Sequence, residues 1–123
     1  MSENTHKPIL VILSQSPYSG SLAREAIDYC LAAAAFEQKI QLLFTGDAVL
    51  QLLKDQHPEP INQKNIGKTL SALPIYGVNT FYVDQNALTR YGLTDEHLCL
   101  PITKVTSNQM ADMLARASHT LNF

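Results

Sequence analysis

Apolar positions fall into short runs separated by polar segments, and their spacing changes from one segment to the next. Ile9-Leu10-Val11-Ile12-Leu13 is a continuous apolar run of strand length, and a second apolar strand runs through Ile40-Gln41-Leu42-Leu43-Phe44. Runs of this size predict strands covered on both faces. Between them Ala23, Ala26, Ile27, Cys30, Leu31 and Ala34 recur at helical spacing, which predicts an amphipathic helix from about Leu22 to Phe36. Small residues dominate that stripe, so the helix can lie close to a sheet. Pro8 to Gly46 is therefore a βαβ unit. Its polar loop, Ser14–Ser21, sits at the carboxyl end of the first strand, the edge where open parallel sheets hold ligands.

The same reading extends along the chain. Thr45-Gly46-Asp47 predicts a turn in which Asp47 caps a helix over Ala48–Leu53. Asp55–Pro60 is a breaker-rich loop, and a helix from about Asn62 to Leu73 carries Ile66, Leu70 and Leu73 on one face. Pro74–Gly77 turns the chain into Val78–Val83, a segment rich in β-formers. Asp84-Gln85-Asn86 opens a short helix through Tyr91, closed by Gly92. A fourth strand is expected in Leu98–Val105, with Pro101 marking it as an edge strand or trimming it. Thr106-Ser107-Asn108 caps a helix over Gln109–Ala117 with Met110, Met113, Leu114 and Ala117 inward, and Thr120–Phe123 can form a last strand. Strands alternating with helices predict an α/β fold: one doubly wound, mostly parallel sheet of about five strands with helices on both faces. Residues 1–123 read as a single domain, with 1–7 expected to be disordered.

Composition narrows the functional classes. Charged residues make up 16% of the chain, a low share that favours an oligomer with charge-poor contact surfaces. A net charge of −2, with Lys39, Lys54, Lys64, Lys68, Arg90 and Lys104 scattered, argues against a nucleic-acid footprint. The first apolar run is about five residues, short of a secretory or membrane-spanning segment, so a cytoplasmic protein without membrane contact is expected. In that compartment Cys30 and Cys99 read as thiols rather than a bridge.

The candidate chemistry is sparse. The first loop has one glycine, Gly20, no following lysine, and a proline, Pro17, that removes a donor. It matches neither a P-loop nor a dinucleotide fingerprint. Its serines leave a flavin or phosphate site open; the alternative is a strand-to-helix turn with a serine cap and Gly20 for backbone freedom. Cys30 lies on the buried helix stripe and reads as a core residue. Cys99 has His97 two residues away, which can lower a thiol pKa, yet its neighbours Leu98 and Leu100 are apolar. It is the one weak catalytic candidate. His6, His57, His97 and His119 form no metal-ligand spacing, so neither a metal nor a cofactor is expected.

The order of motifs nevertheless has a likeness. The segment Ser14-Gln15-Ser16-Pro17-Tyr18-Ser19-Gly20-Ser21 with Arg24-Glu25 and Asp28, then Gly46-Asp47 with Val49 and Gln51-Leu52-Leu53, then Ile66–Val78, resembles the DsrE/DsrF/DsrH family from Ile9 to Phe123. The likeness is to its TusC/DsrF branch. One departure is Ala23-Arg24-Glu25-Ala26-Ile27-Asp28, where that branch often has Gly-Arg-Glu-Gly-Leu-Asp. The resemblance implies a non-catalytic subunit of a Tus-type sulfur-relay complex, a heterohexamer of two trimers with B- and D-type partners, serving tRNA wobble 2-thiouridine synthesis. It implies too that the sulfur-carrying cysteine of the D- or E-type subunit lies at the end of the strand matching Val78–Val83, where this chain has Tyr82-Val83-Asp84-Gln85. Pro17, Tyr18, Gly20 and Tyr76 are then candidate partner contacts. Alternatives are a subunit of a Dsr-type sulfur-oxidation complex, a stand-alone sulfur carrier using Cys99, and a flavin-binding module using the first loop.

Overall fold

Strands β1 (Ile9–Leu13) and β2 (Ile40–Phe44) form where the two apolar runs place them, paired in parallel from Ile9 opposite Ile40 to Leu13 opposite Phe44. The computed structural model describes residues 7–16, 20–54 and 66–123. Helix α1 (Leu22–Ala35) joins the first two strands and buries Ala23, Ala26, Ile27, Cys30 and Ala33. Helix α2 (Ile66–Ala72) leads through a 3-10 turn, Leu73–Tyr76, into β3 (Thr80–Asp84). Gly77 makes that entry possible: its φ of 90° is a left-handed conformation that a side chain resists. Helix α3 (Gln85–Arg90), β4 (Thr103–Val105), α4 (Ser107–Arg116) and β5 (His119–Asn122) complete the order.

All five strands are parallel and run β4-β3-β2-β1-β5 across the sheet. The doubly wound α/β fold with helices on both faces is thus the one the sequence predicts. Steps from β1 to β4 all move one way, and the step to β5 reverses. Right-handed crossovers therefore place α1, α2 and α3 on one face and α4 alone on the other. Burial follows this division. The larger core joins Val11, Leu13, Leu42, Phe44, Phe81 and Val83 to Ile27, Cys30, Leu70 and Leu88. The smaller holds Leu10, Leu43 and Val105 beneath Met110, Met113 and Ala117 of α4.

Several local expectations change. The segment after β2 is a 3-10 helix over Gly46–Leu52, with Thr45 at its N-cap position. Asp47 does not cap it; its carboxylate accepts the Tyr91 hydroxyl instead. The fourth strand shrinks to Thr103–Val105. Pro101 has no N–H for a ladder, so Leu98 and Leu100 are buried as loop, with Leu98 bridged antiparallel to Leu53. Leu114, expected inward, is 47% exposed, because α4 meets the sheet only along the narrow stripe of Met110, Met113 and Ala117. Thr106 does cap α4: its hydroxyl accepts the Gln109 N–H, and the Gln109 side chain accepts the Thr106 N–H. The expectations for residues 1–6, for Asp55–Pro60 and for a start of α2 near Asn62 lie outside the described residues.

Candidate functional site

At the carboxyl edge of the sheet, where a ligand or reactive group is expected, the described residues make structural contacts. The strand order reverses between β1 and β5, the place where such folds open a crevice. There the Phe123 carbonyl accepts both the Ser14 N–H at 3.0 Å and the Ser14 hydroxyl at 3.2 Å. The Phe123 ring lies 6.3 Å from that of Tyr29. One strand over, Thr45 donates its N–H and its hydroxyl to the Leu13 carbonyl. Gln51 is fully buried, and its amide donates to the Gln15 carbonyl at 2.9 Å. That bond ties the Gly46–Leu52 turn to the first loop. A buried amide inside an otherwise apolar turn was visible in the sequence but carried no mark of this role.

The end of β3 is likewise structural. Asp84 occupies the N-cap of α3, and its carboxylate accepts the Asn86 N–H at 3.0 Å. No thiol stands at that position.

The two cysteines sit in different surroundings, Cys30 inside α1 and Cys99 beside the end of the Gly46–Leu52 turn. Cys30 is completely buried on the α1 stripe, and burial pushes its thiol from 9.0 up to about 12. It is held as the neutral thiol, the unreactive form. Cys99 is half-buried, and its N–H donates to the Leu52 carbonyl at 2.7 Å. Beside it Lys54 donates to the His97 carbonyl, so Leu52–Lys54 and His97–Cys99 form a short antiparallel ladder. The His97 ring turns to its own turn, where Nδ1 accepts the Thr94 N–H at 3.0 Å. The Nδ1 side of the His97 ring thus serves the Thr94 turn. Among the described residues no group of three or more His, Cys, Asp or Glu side chains is placed to hold a metal ion.

The structure separates the candidate partner contacts. Gly20 is exposed in the loop after β1, at the carboxyl edge. It has no positive φ, and a Cβ there would meet open space, so neither backbone strain nor crowding calls for glycine. Ser21 stands at the N-cap of α1, but its hydroxyl goes to the Glu25 carboxylate. Tyr76 precedes β3, at the opposite, amino edge. Pro17 and Tyr18 lie outside the described residues. Ile75 and Tyr76 expose large apolar side chains at the amino edge, 81% and 60%, and Phe36 at the end of α1 is 79% exposed. The 3-10 turn bearing Ile75 and Tyr76 packs on α1, whose C-cap is Phe36. Sequence reading singled out Tyr76 but not Phe36 or Ile75; helix-end apolar residues look like core until the end of the helix is fixed.

No helix among the described residues is long and apolar enough to cross a membrane.

Comparison with known proteins agrees with this architecture. A family model described as the DsrE/DsrF-like family matches residues 7–123. A protein of Pseudomonas aeruginosa named as a TusC homolog is 40% identical over 108 residues, 88% of this chain and 91% of that one. A TusC homolog of Aliivibrio fischeri is 32% identical, covering 91% and 95%. A TusC protein of Buchnera aphidicola is 30% identical, covering 95% and 99%. In structure, the ychN protein of E. coli superposes with a TM-score of 0.83 at 20% identity, covering 95% of this chain and 99% of that one. At that identity the likeness is one of fold.

Proposed function

The chain belongs to the DsrE/DsrF-like family and is a homologue of proteins named TusC, and from that premise we propose that it is the non-catalytic subunit of a sulfur-relay complex. In this reading persulfide sulfur passes along B- and D-type partners toward 2-thiouridine at the tRNA wobble position, and this subunit shapes the assembly. The observation that carries the reading is the carboxyl edge itself. A sulfur carrier of this fold needs a thiolate at a strand end, exposed and activated. Here the place that the resemblance implies is held by Asp84 as a helix cap, and Cys30 is a buried neutral thiol.

The exposed Ile75 and Tyr76, adjacent in the turn before β3, support a role in assembly, because neighbouring large apolar groups left in water mark a contact surface. Tyr76 at the amino edge and Gly20 at the carboxyl edge are contacts proposed for the two partners, together with Pro17 and Tyr18 of the same sequence motif. The complex would hold two copies of each subunit.

The test is genetic and chemical together. Removing the gene should abolish wobble 2-thiouridine, measured by mass spectrometry of digested tRNA. Wild type and a Cys30→Ala/Cys99→Ser double variant should both restore it. If 2-thiouridine persists without the gene, the proposal fails and oxidation of reduced sulfur becomes the assay of choice. If only the cysteine-bearing form restores it, the subunit is itself a carrier.

A further inference from the structure

The face of the sheet that carries α4 is covered by that helix alone, and beside it lies an open groove of about 380 Å³. A ten-residue helix covers a strip about 10 Å wide, whereas the outer strands of a five-stranded sheet stand about 19 Å apart. The floor of the groove is not the apolar surface that a core would present. Tyr82 of β3 and Thr103 of β4 are direct cross-strand neighbours in it, and Gln41 of β2 lies beside them. Met113 of α4, packed with Tyr82 in the smaller core, forms the wall. A phenol ring and a thioether give a flat apolar slot, and the hydroxyl and amide give it hydrogen-bonding groups.

Two cations stand at its rim, Lys39 before β2 and Arg116 in the last turn of α4. Their segments are anchored to adjacent residues. The Ile9 N–H donates to the Lys39 carbonyl at 2.8 Å, and Ser118, two residues beyond Arg116, donates its N–H and its hydroxyl to the Pro8 carbonyl at 2.9 and 3.1 Å. The start of β1 thus fixes both cation-bearing segments at one end of the groove. Asp112, also on the rim, pairs with Arg116 at 3.5 Å through one guanidinium nitrogen, which leaves other donors of that fork to turn inward. Lys39 has no ion pair among the described residues. The rim is net positive on a chain of net charge −2.

We propose that this groove binds a small planar organic anion, its ring against Tyr82 and Met113 and its acidic group between Lys39 and Arg116. The volume lies at the small end of ligand pockets, roughly 300–1,000 Å³. This site is independent of the assembly role, and its failure would leave that role untouched.

The probe is naphthalene-2-sulfonate, titrated into the isotope-labelled full chain and followed by two-dimensional amide NMR, beside the neutral naphthalene-2-methanol and inorganic phosphate. Saturable shifts at Gln41, Tyr82 and Thr103 are expected with the sulfonate. The neutral ring and bare phosphate should bind about tenfold more weakly, and Lys39→Ala and Arg116→Ala should each cost about tenfold. Both side chains are exposed, so each variant's own spectrum reports whether the fold is kept, and Lys39→Arg should retain binding. Equal affinity for the neutral ring or for phosphate alone, shifts centred on Phe36 and Ile75, or no shifts would each overturn the proposal.

Discussion

The Asp84 carboxylate accepts the Asn86 N–H at 3.0 Å, capping α3 where β3 ends. This places a helix-stabilising acid at the strand end where the resembled sulfur carriers hold their cysteine. Asp84→Ala should lower stability by about 1 kcal/mol, and Asp84→Asn by much less, since asparagine also caps. Urea denaturation of the two variants checks this; equal losses would show that the cap is not what Asp84 contributes.

Cys30 gives a pH signature. Burial holds its thiol protonated up to about 12, against 9.0 for an unshielded thiol. Below pH 9 folded and unfolded chains both keep the proton, so stability is indifferent to it. Above pH 9 the unfolded chain loses the proton while the folded chain keeps it, and stability falls by up to about 1.4 kcal/mol per pH unit. Cys30→Ala removes this term at the cost of a small cavity. The stability gap between wild type and variant should therefore narrow between pH 8 and pH 10 in paired urea titrations, and a constant gap would contradict the burial argument.

Cys99 should stay unmodified. After incubation with a cysteine desulfurase, cysteine and an upstream carrier, the intact mass of this chain should be unchanged, while a gain of about 32 Da on it would mark a persulfide. Cys99→Ser should leave the rate of sulfur transfer through the assembled complex within a factor of two, an on-the-order-of-noise change by comparison with loss of a nucleophile.

Ile75 and Tyr76 separate assembly from folding. Ile75 is 81% and Tyr76 60% exposed, so Ile75→Ser and Tyr76→Ser should change the stability of the lone chain by about 0.5 kcal/mol or less. If this edge meets a partner, each should weaken assembly about tenfold or more, as buried aromatic and aliphatic anchors do. Analytical ultracentrifugation of the mixed subunits reads the second effect, and unimpaired assembly of both variants would move the interface elsewhere.

Much of this architecture was legible in the residues. The short apolar runs of β1 and β2, flanked by breakers and separated by a helical stripe of small residues, read as strands of a βαβ unit, and that is how they fold. The short elements were harder, because long-range contacts decide them. Whether Asp47 caps its own turn or takes the Tyr91 hydroxyl depends on where α3 comes to rest. Leu98 and Leu100 look like a strand, yet Pro101 and the bridge to Leu53 keep them as buried loop. For the site, the residues themselves offered little: Tyr82-Val83-Asp84-Gln85 at one strand end and a single glycine, Gly20, in the first loop. What the sequence could not show was the groove beside α4, which exists only because the strand order leaves that face to a single helix.

Co-expression with B- and D-type partners, followed by native mass spectrometry, tests the central claim most directly. The account predicts one complex containing two copies of each of the three chains, which does not form when either partner is omitted. A chain that runs alone, or only with copies of itself, in the presence of both partners would contradict it.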